Sequence, residues 1–303
     1  MLRKTLLITL LIVLLSACAP QATPTAEVLT FTDGLGREIS LNGPAQKVIS
    51  IAPSNTEILF AIGAGPQVIG RDQLSDYPAE AATVTDVGSA FEALNTELIV
   101  SLQPDLVLAA EINTPEQVKQ LEDLGLTVYY LKNPLTLEEM YSNLELVAQL
   151  TGHEAETTTL IESLKARVAA VDEKIAPLSS RPSVFYELDA TDPAKPYTAG
   201  NGTFINLLID RAGAFNIASD IDGYPQLSLE QVVAADPAFI ILGDSAYGVT
   251  PETIASRPGW ENLSAVTNNQ VFPFDDNLVS RPGPRLVDAL EQLAKLIRPE
   301  LFQ

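Results

Sequence analysis

Four stretches of the chain hold residue types that could do chemistry: Gly243-Asp244-Ser245, Ser54-Asn55-Thr56-Glu57, and the two similar polar contexts around Glu97 and Glu230. The first has the form of an esterase nucleophile block. A serine nucleophile needs a base within hydrogen-bonding reach, and His153, beside Gly152, is the only histidine in 303 residues. It precedes Ser245, and no histidine follows. A zinc site needs several imidazole or thiolate ligands, which one His and one Cys do not supply. Gly243-Asp244-Ser245 therefore reads as a turn at a strand end. No phosphate loop and no dinucleotide fingerprint is present. The expectation is a protein that is not an enzyme, with no catalytic residue and no metal or cofactor held by its own side chains.

Ser54-Asn55-Thr56-Glu57 has capping-box form, Ser54 capping a helix and Glu57 reaching back. That arrangement needs no ligand. It also puts a helix N-terminus directly after an apolar run, at the carboxyl edge of a sheet, where open α/β sheets bind ligands. Ser54 and Asn55 are candidate ligand-binding residues on that ground. Glu97 and Glu230 belong to an internal repeat: Asn95-Thr96-Glu97-Leu98-Ile99-Val100 matches Ser228-Leu229-Glu230-Gln231-Val232-Val233 in type, and Pro104 and Pro237 follow at the same offset of 133. Each copy has a polar cap, an acid in the first turn, a proline stop and an apolar strand. Each acid could simply stabilise its own helix by roughly 0.3–1 kcal/mol.

The elements that must position these residues alternate. Apolar runs Val48–Ile51, Val68–Gly70, Leu106–Ala109 and Thr127–Leu131 read as strands, and Asn55–Ile62, Leu98–Leu102 and Glu116–Leu124 as helices. A second series has strands at Ser183–Tyr186, Phe239–Leu242 and Val271-Phe272, with helices near Phe204–Arg211, Glu230–Ala234 and Arg285–Ile297. This order predicts an α/β fold of two parallel-sheet lobes, residues 28–152 and 180–303. Between them Leu160, Leu164, Val168, Val171, Ile175 and Leu178 recur at helical spacing, predicting one long helix over 153–179 that joins the lobes and permits little hinge closure. The stripe alone is equally that of a surface helix of one lobe.

At the start of the chain Arg3 and Lys4 precede an apolar stretch from Leu6 to Leu15 and small residues at Ser16 and Ala17. Residues 1–18 thus read as a signal peptide, too short to span a bilayer. Cys18, the only cysteine, follows Leu15-Ser16-Ala17 as in the lipobox of bacterial lipoproteins, which implies acylation there; the alternative is a free or buried thiol. Residues 19–27, rich in Ala, Pro, Thr and Gln, read as a flexible tether. The net charge of −21 makes nucleic acid an improbable partner and otherwise serves solubility.

Val48 to Gly63, then Val68-Ile69-Gly70, Asp76-Tyr77-Pro78, Val87-Gly88, Asn95-Thr96-Glu97, Pro104 to Val107, Arg281-Pro282-Gly283-Pro284-Arg285 and Arg298-Pro299-Glu300 resemble, in order and spacing, the cobalamin and iron-chelate binding proteins of ABC importers. The resemblance implies two Rossmann-like lobes joined by a single helix, with a ligand cleft between them. It implies a lipid-anchored monomer on the outer face of the cytoplasmic membrane. Its partners would be a metal chelate that carries its own cobalt or iron, and a permease dimer with its ATPase. Arginines of that permease would meet Glu97 and Glu230. By the same resemblance the loops at strand ends nominate Arg71, Phe91, Glu111, Tyr197, Tyr224, Asp275 and Arg281 as ligand-binding. Phe91 and Tyr224 fall where cobalamin binders carry rings against the corrin, whereas Leu74 and Ala110 replace further aromatics of that group. Arg71 and Arg281 would suit carboxylate or catecholate oxygens. Cobalamin is the first expectation, a ferric siderophore or haem the second; an anchored sensory or structural lipoprotein is the competing class.

Overall fold

A computed structural model describes residues 28–302. The signal peptide, Cys18 and the tether lie outside the described residues. Two parallel four-stranded sheets dominate. The first contains β3 (Val48–Ser50), β4 (Val68–Arg71), β5 (Leu106–Ala110) and β6 (Val128–Leu131) in the order β4-β3-β5-β6. The second contains β7 (Ser183–Glu187), β8 (Phe215–Asn216), β9 (Phe239–Leu242) and β10 (Val271–Pro273) in the order β8-β7-β9-β10. Both sheets are wound alike: the first strand has the second on one side and the third, then the fourth, on the other. Every residue of β5 and β6 is buried, as expected for strands covered by helices on both faces. A short hairpin, β1 (Leu29–Thr32) with β2 (Glu38–Leu41), precedes the first sheet and has no counterpart in the expected elements.

Helices α1 (Pro53–Ala61), α2 (Thr96–Leu102), α3 (Pro115–Asp123) and α4 (Leu137–Thr151) accompany the first sheet. With the second come α6 (Phe204–Arg211), α7 (Leu229–Ala235), α8 (Pro251–Ala255), α9 (Ser264–Thr267), α10 (Asn277–Ser280) and α11 (Leu286–Ile297). Between them runs α5 (Glu154–Ile175), 22 residues and about 33 Å long. It buries Thr157, Ile161, Leu164, Val168, Val171 and Ile175 against α4 on one side and α11 on the other, so it bridges the lobes. Arg167 adds ion pairs to Asp288 and Glu291 of α11, and Asp172 pairs with Arg211 of α6. Among the described residues, no helix is long and apolar enough to cross a membrane.

The repeat is structural. Asn95 and Ser228 both accept a backbone N–H at their helix starts, at 3.0 and 3.3 Å. α2 and α7 both end on a left-handed residue, Gln103 (φ 51°) and Asp236 (φ 39°), placed directly before Pro104 and Pro237. A proline disfavours helical backbone in the residue before it, and here that residue turns into the left-handed region at both ends.

The capping box predicted at Ser54 does not form. Pro53 takes the first helical position, so the cap falls on Ala52 without a side-chain bond, and Ser54 lies inside the first turn. Glu57 is drawn away from the helix end by two guanidiniums from the other lobe. Its Oε2 accepts from Arg285 Nε at 2.7 Å, and its Oε1 accepts from Arg285 Nη2 at 2.5 Å and Arg281 Nη1 at 3.2 Å.

Candidate functional site

In a sheet of order 2-1-3-4 the crevice opens between the first and third strands, where the chain reverses its winding direction. Loops at the carboxyl ends of strands in both sheets wall a cavity of about 390 Å³ between the lobes. Pro53 and Ser54 follow β3; Ala110 and Ile112 end and follow β5; Gly243, Ala246 and Tyr247 follow β9; Asp275, Asp276 and Asn277 follow β10. Leu74, Phe91, Asn133, Ser280, Arg281 and Pro282 complete the wall. A second cavity, about 590 Å³, lies along α5 and is lined by Phe60, Tyr77, Leu164 and Arg285. It is the larger, but it sits away from the strand ends. Arg281 faces the first cavity and Arg285 the second, and Glu57 bonds both.

Of the residues nominated from sequence, Ser54, Phe91, Asp275 and Arg281 are on the cleft wall. Phe91 is 73 % exposed on a loop that Gly88 makes possible: φ is 94°, and a Cβ there would stand 2.2 Å from the Ala93 carbonyl oxygen. Tyr224 stands at the same offset of 133 from Phe91 that separates Glu230 from Glu97, so each lobe carries an exposed ring six residues before its first-turn acid. The Tyr224 ring is 61 % exposed. Burial of its phenol, then the charges of Asp276 and Glu111, raise its pKa. Glu111 lies between wall residues Ala110 and Ile112, and its Oε1 accepts from the Asn133 N–H at 3.2 Å.

Five nominations are not among the residues lining the cavity: Tyr224, Glu111, Arg71, Tyr197 and Asn55. Arg71 donates to the carbonyls of Ala81, Asp72 and Gln73, which tie its guanidinium to its own loop. Tyr197 is bridged through its backbone to Asp189 and Gln226. Asn55 turns its amide inward, where neither polar atom has a protein partner. Arg281 is on the wall but committed: Nη1 donates to Asp76 at 2.5 Å as well as to Glu57. His153 is remote from the cleft, its Nε2 bonded to Gln67 at 3.1 Å beside the start of α5. Tyr247, 90 % exposed, and Asp276 were not nominated. Their signal was available, since both follow predicted strand ends as Glu111 and Asp275 do.

Two buried charge clusters brace the site. The Glu57–Arg285 pair, with Arg285 4.0 Å above the Tyr77 ring, ties α1 to the start of α11. Burial pushes the Glu57 carboxyl up in spite of the two guanidiniums, while the Arg285 guanidinium, itself opposed by burial, is raised by Glu57. Such a pair fixes geometry more than it adds stability. Arg285→Met is expected to cost about 3 kcal/mol in urea unfolding by stranding Glu57, and Glu57→Leu added to it to recover most of that loss.

The second cluster lies at the ends of β7 and β9. Glu187 receives both Arg257 nitrogens, at 2.5 and 2.8 Å, and Asp244 stands beside it. Burial, then the Glu187 charge and a shared hydrogen bond, lift the Asp244 pKa to about 7. A carboxyl raised from 3.8 holds its proton in the folded state between those values, so its contribution to stability is full below pH 4 and lost as pH rises toward 7. Asp244→Asn keeps the protonated pattern. It should flatten stability between pH 4 and 7 and be more stable than the parent at pH 8 by on the order of 2 kcal/mol, read from denaturant midpoints.

A family model described as periplasmic binding protein matches residues 48–278. The uncharacterized ABC transporter substrate-binding lipoprotein YvrC of Bacillus subtilis (strain 168) is 34% identical over 280 residues, 91% of this chain and 87% of its own. A cobalamin-binding protein of Halobacterium salinarum is 30% identical over 274 residues, 88% of this chain and 73% of its own. Among solved structures, the periplasmic heme-binding protein RhuT from Roseiflexus sp. RS-1 superposes with a TM-score of 0.75 at 27% identity, covering 85% of this chain and 99% of that one.

Proposed function

Because the chain belongs to the periplasmic binding protein family, whose members are solute-binding proteins and not enzymes, we propose that its cleft captures a corrinoid, cobalamin being the first candidate, for delivery to an ABC permease. The observation that carries this reading is a pair of exposed rings at equivalent positions of the two lobes, Phe91 on the cavity wall and Tyr224 at the same offset of 133 in the other lobe. Rings placed this way can lie against a broad planar ligand from both ends. A relative named for cobalamin supports the assignment, and Ser54, Asn133 and Asp275 on the wall, with Glu111 beside it, supply the polar contacts that amide side chains of a corrinoid require. Haem is the second reading, favoured by the RhuT likeness and by tyrosines at the cleft that could ligate iron.

In the same reading Glu97 and Glu230 meet cationic side chains of a permease dimer, Cys18 is the acylated residue that holds the monomer at the outer face of the membrane, and residues 19–27 are the tether. The test is calorimetric titration of residues 28–303 with cyanocobalamin, haemin and ferric siderophores. Saturable one-to-one binding of cyanocobalamin, tightest of the set, is the expected result; no binding of it alongside tight haemin binding would hand the assignment to haem. Emission from the only tryptophan is a poor reporter here, since Trp260 is buried in the second lobe under Arg257.

A further inference from the structure

Resting on that reading of the cleft, we infer that the site discriminates by charge: it accepts chelates that are neutral or positively charged and rejects polyanionic ones. The wall carries three charged side chains among the described residues, Asp275, Asp276 and Arg281. The single cation is already neutralised, because Arg281 Nη1 serves both Asp76 and Glu57. Arg285 answers the other half of Glu57, so that four-residue cluster balances within itself.

Nothing balances the other side of the wall. Asp275 is exposed, and its Oδ1 accepts only the Asn277 N–H, at 3.1 Å. Asp276 accepts from the Tyr186 hydroxyl at 2.8 Å, a neutral donor. Glu111, beside the wall on the opposite lobe, bonds a backbone N–H of Asn133. Acids therefore stand on both lobes with no uncommitted arginine or lysine on the wall to meet an anionic ligand. Arg71, nominated from the sequence, is held by three backbone carbonyls. The net charge of −21 surrounds the cleft with a field of the same sign, so approach and occupancy work in one direction.

A ferric tris-catecholate is trianionic and haemin carries two propionates, whereas cyanocobalamin has no net charge and ferrioxamine B bears a free ammonium. Ammonium or amide N–H groups would find acceptors in Asp275, Asp276 and Glu111. Carboxylate or catecholate oxygens would meet like charge in a partly desolvated site, where repulsion is strong. The acids therefore act as specificity determinants.

Equilibrium titration of residues 28–303 with those four probes at low and at physiological salt tests this, with urea midpoints confirming that each variant folds. Cyanocobalamin or ferrioxamine B should bind at least about a hundredfold more tightly than the tris-catecholate. Asp275→Asn, at an exposed position, should tighten the tris-catecholate about tenfold, and Asp275→Asn with Asp276→Asn should narrow the gap further. Tris-catecholate or haemin binding as tightly as the neutral and cationic probes, or a ratio untouched by both variants, overturns the charge rule while leaving chelate capture standing. Failure of all four probes to bind overturns the capture reading itself, and the rule with it.

Discussion

Cells whose only copy of the protein is the Glu97→Arg, Glu230→Arg variant are expected to take up no chelate above background, while the purified variant binds ligand as the parent does. Both carboxylates are exposed, both lie in the first turn of short helices, and neither has an ion-pair partner among the described residues. The Glu230 carboxyl is held below the usual carboxylate range by its own backbone N–H and the Ser228 hydroxyl, so it is fully charged whenever the permease is met. Two anions fixed at equivalent points of two lobes suit a symmetric cationic dimer, and reversing both replaces two attractions with two repulsions worth several kcal/mol. Single reversals should leave intermediate uptake. The cleft lies on other loops, so affinity should stay within about twofold, well under the tenfold that 1.4 kcal/mol represents. Normal uptake by the double variant would remove the docking role.

The second large effect is at the rings. Phe91→Ala with Tyr224→Ala should weaken cyanocobalamin binding about a thousandfold, taking roughly 2 kcal/mol for each apolar face lost. Because both side chains are largely exposed, removing them should leave the urea midpoint within experimental scatter. Tyr224→Phe separates the two uses of that residue. If the ring face carries the energy, the phenylalanine variant binds as the parent; if a tyrosinate ligates iron, haemin affinity collapses in the same variant.

Much of this was legible in the sequence because the periodic signals were strong. Strand β9 and helix α6 lie where their apolar patterns put them, and the offset of 133 carries the repeat in the letters alone. Helix α4 was missed even though Leu137, Met140, Tyr141, Leu144, Val147 and Ala148 keep perfect helical spacing. It begins directly after Pro134-Leu135-Thr136, a loop-like segment that hides its start, and only Gly152 and His153 separate it from α5. Strand β8 has only two residues, Phe215 and Asn216, too few for any period to show. The site was harder for a different reason. A sequence names Glu57 and Arg285 but not that they meet across 228 positions, and Glu57 read as a helix cap because its partner was out of view. Arg71 and Arg281 are alike as letters; only their neighbours, three carbonyls in one case and two carboxylates in the other, decide that neither offers an uncommitted charge.

Hydrogen–deuterium exchange of residues 28–303 with and without cyanocobalamin addresses the central claim most directly, because it reads every loop at once. Ligand held between the lobes should protect the segments around 53–57, 88–95 and 110–113 of one lobe together with 222–227, 243–247 and 274–282 of the other, and leave 160–167 of the bridging helix unchanged. Protection confined to one lobe, or centred on the cavity beside α5, would contradict capture in the cleft.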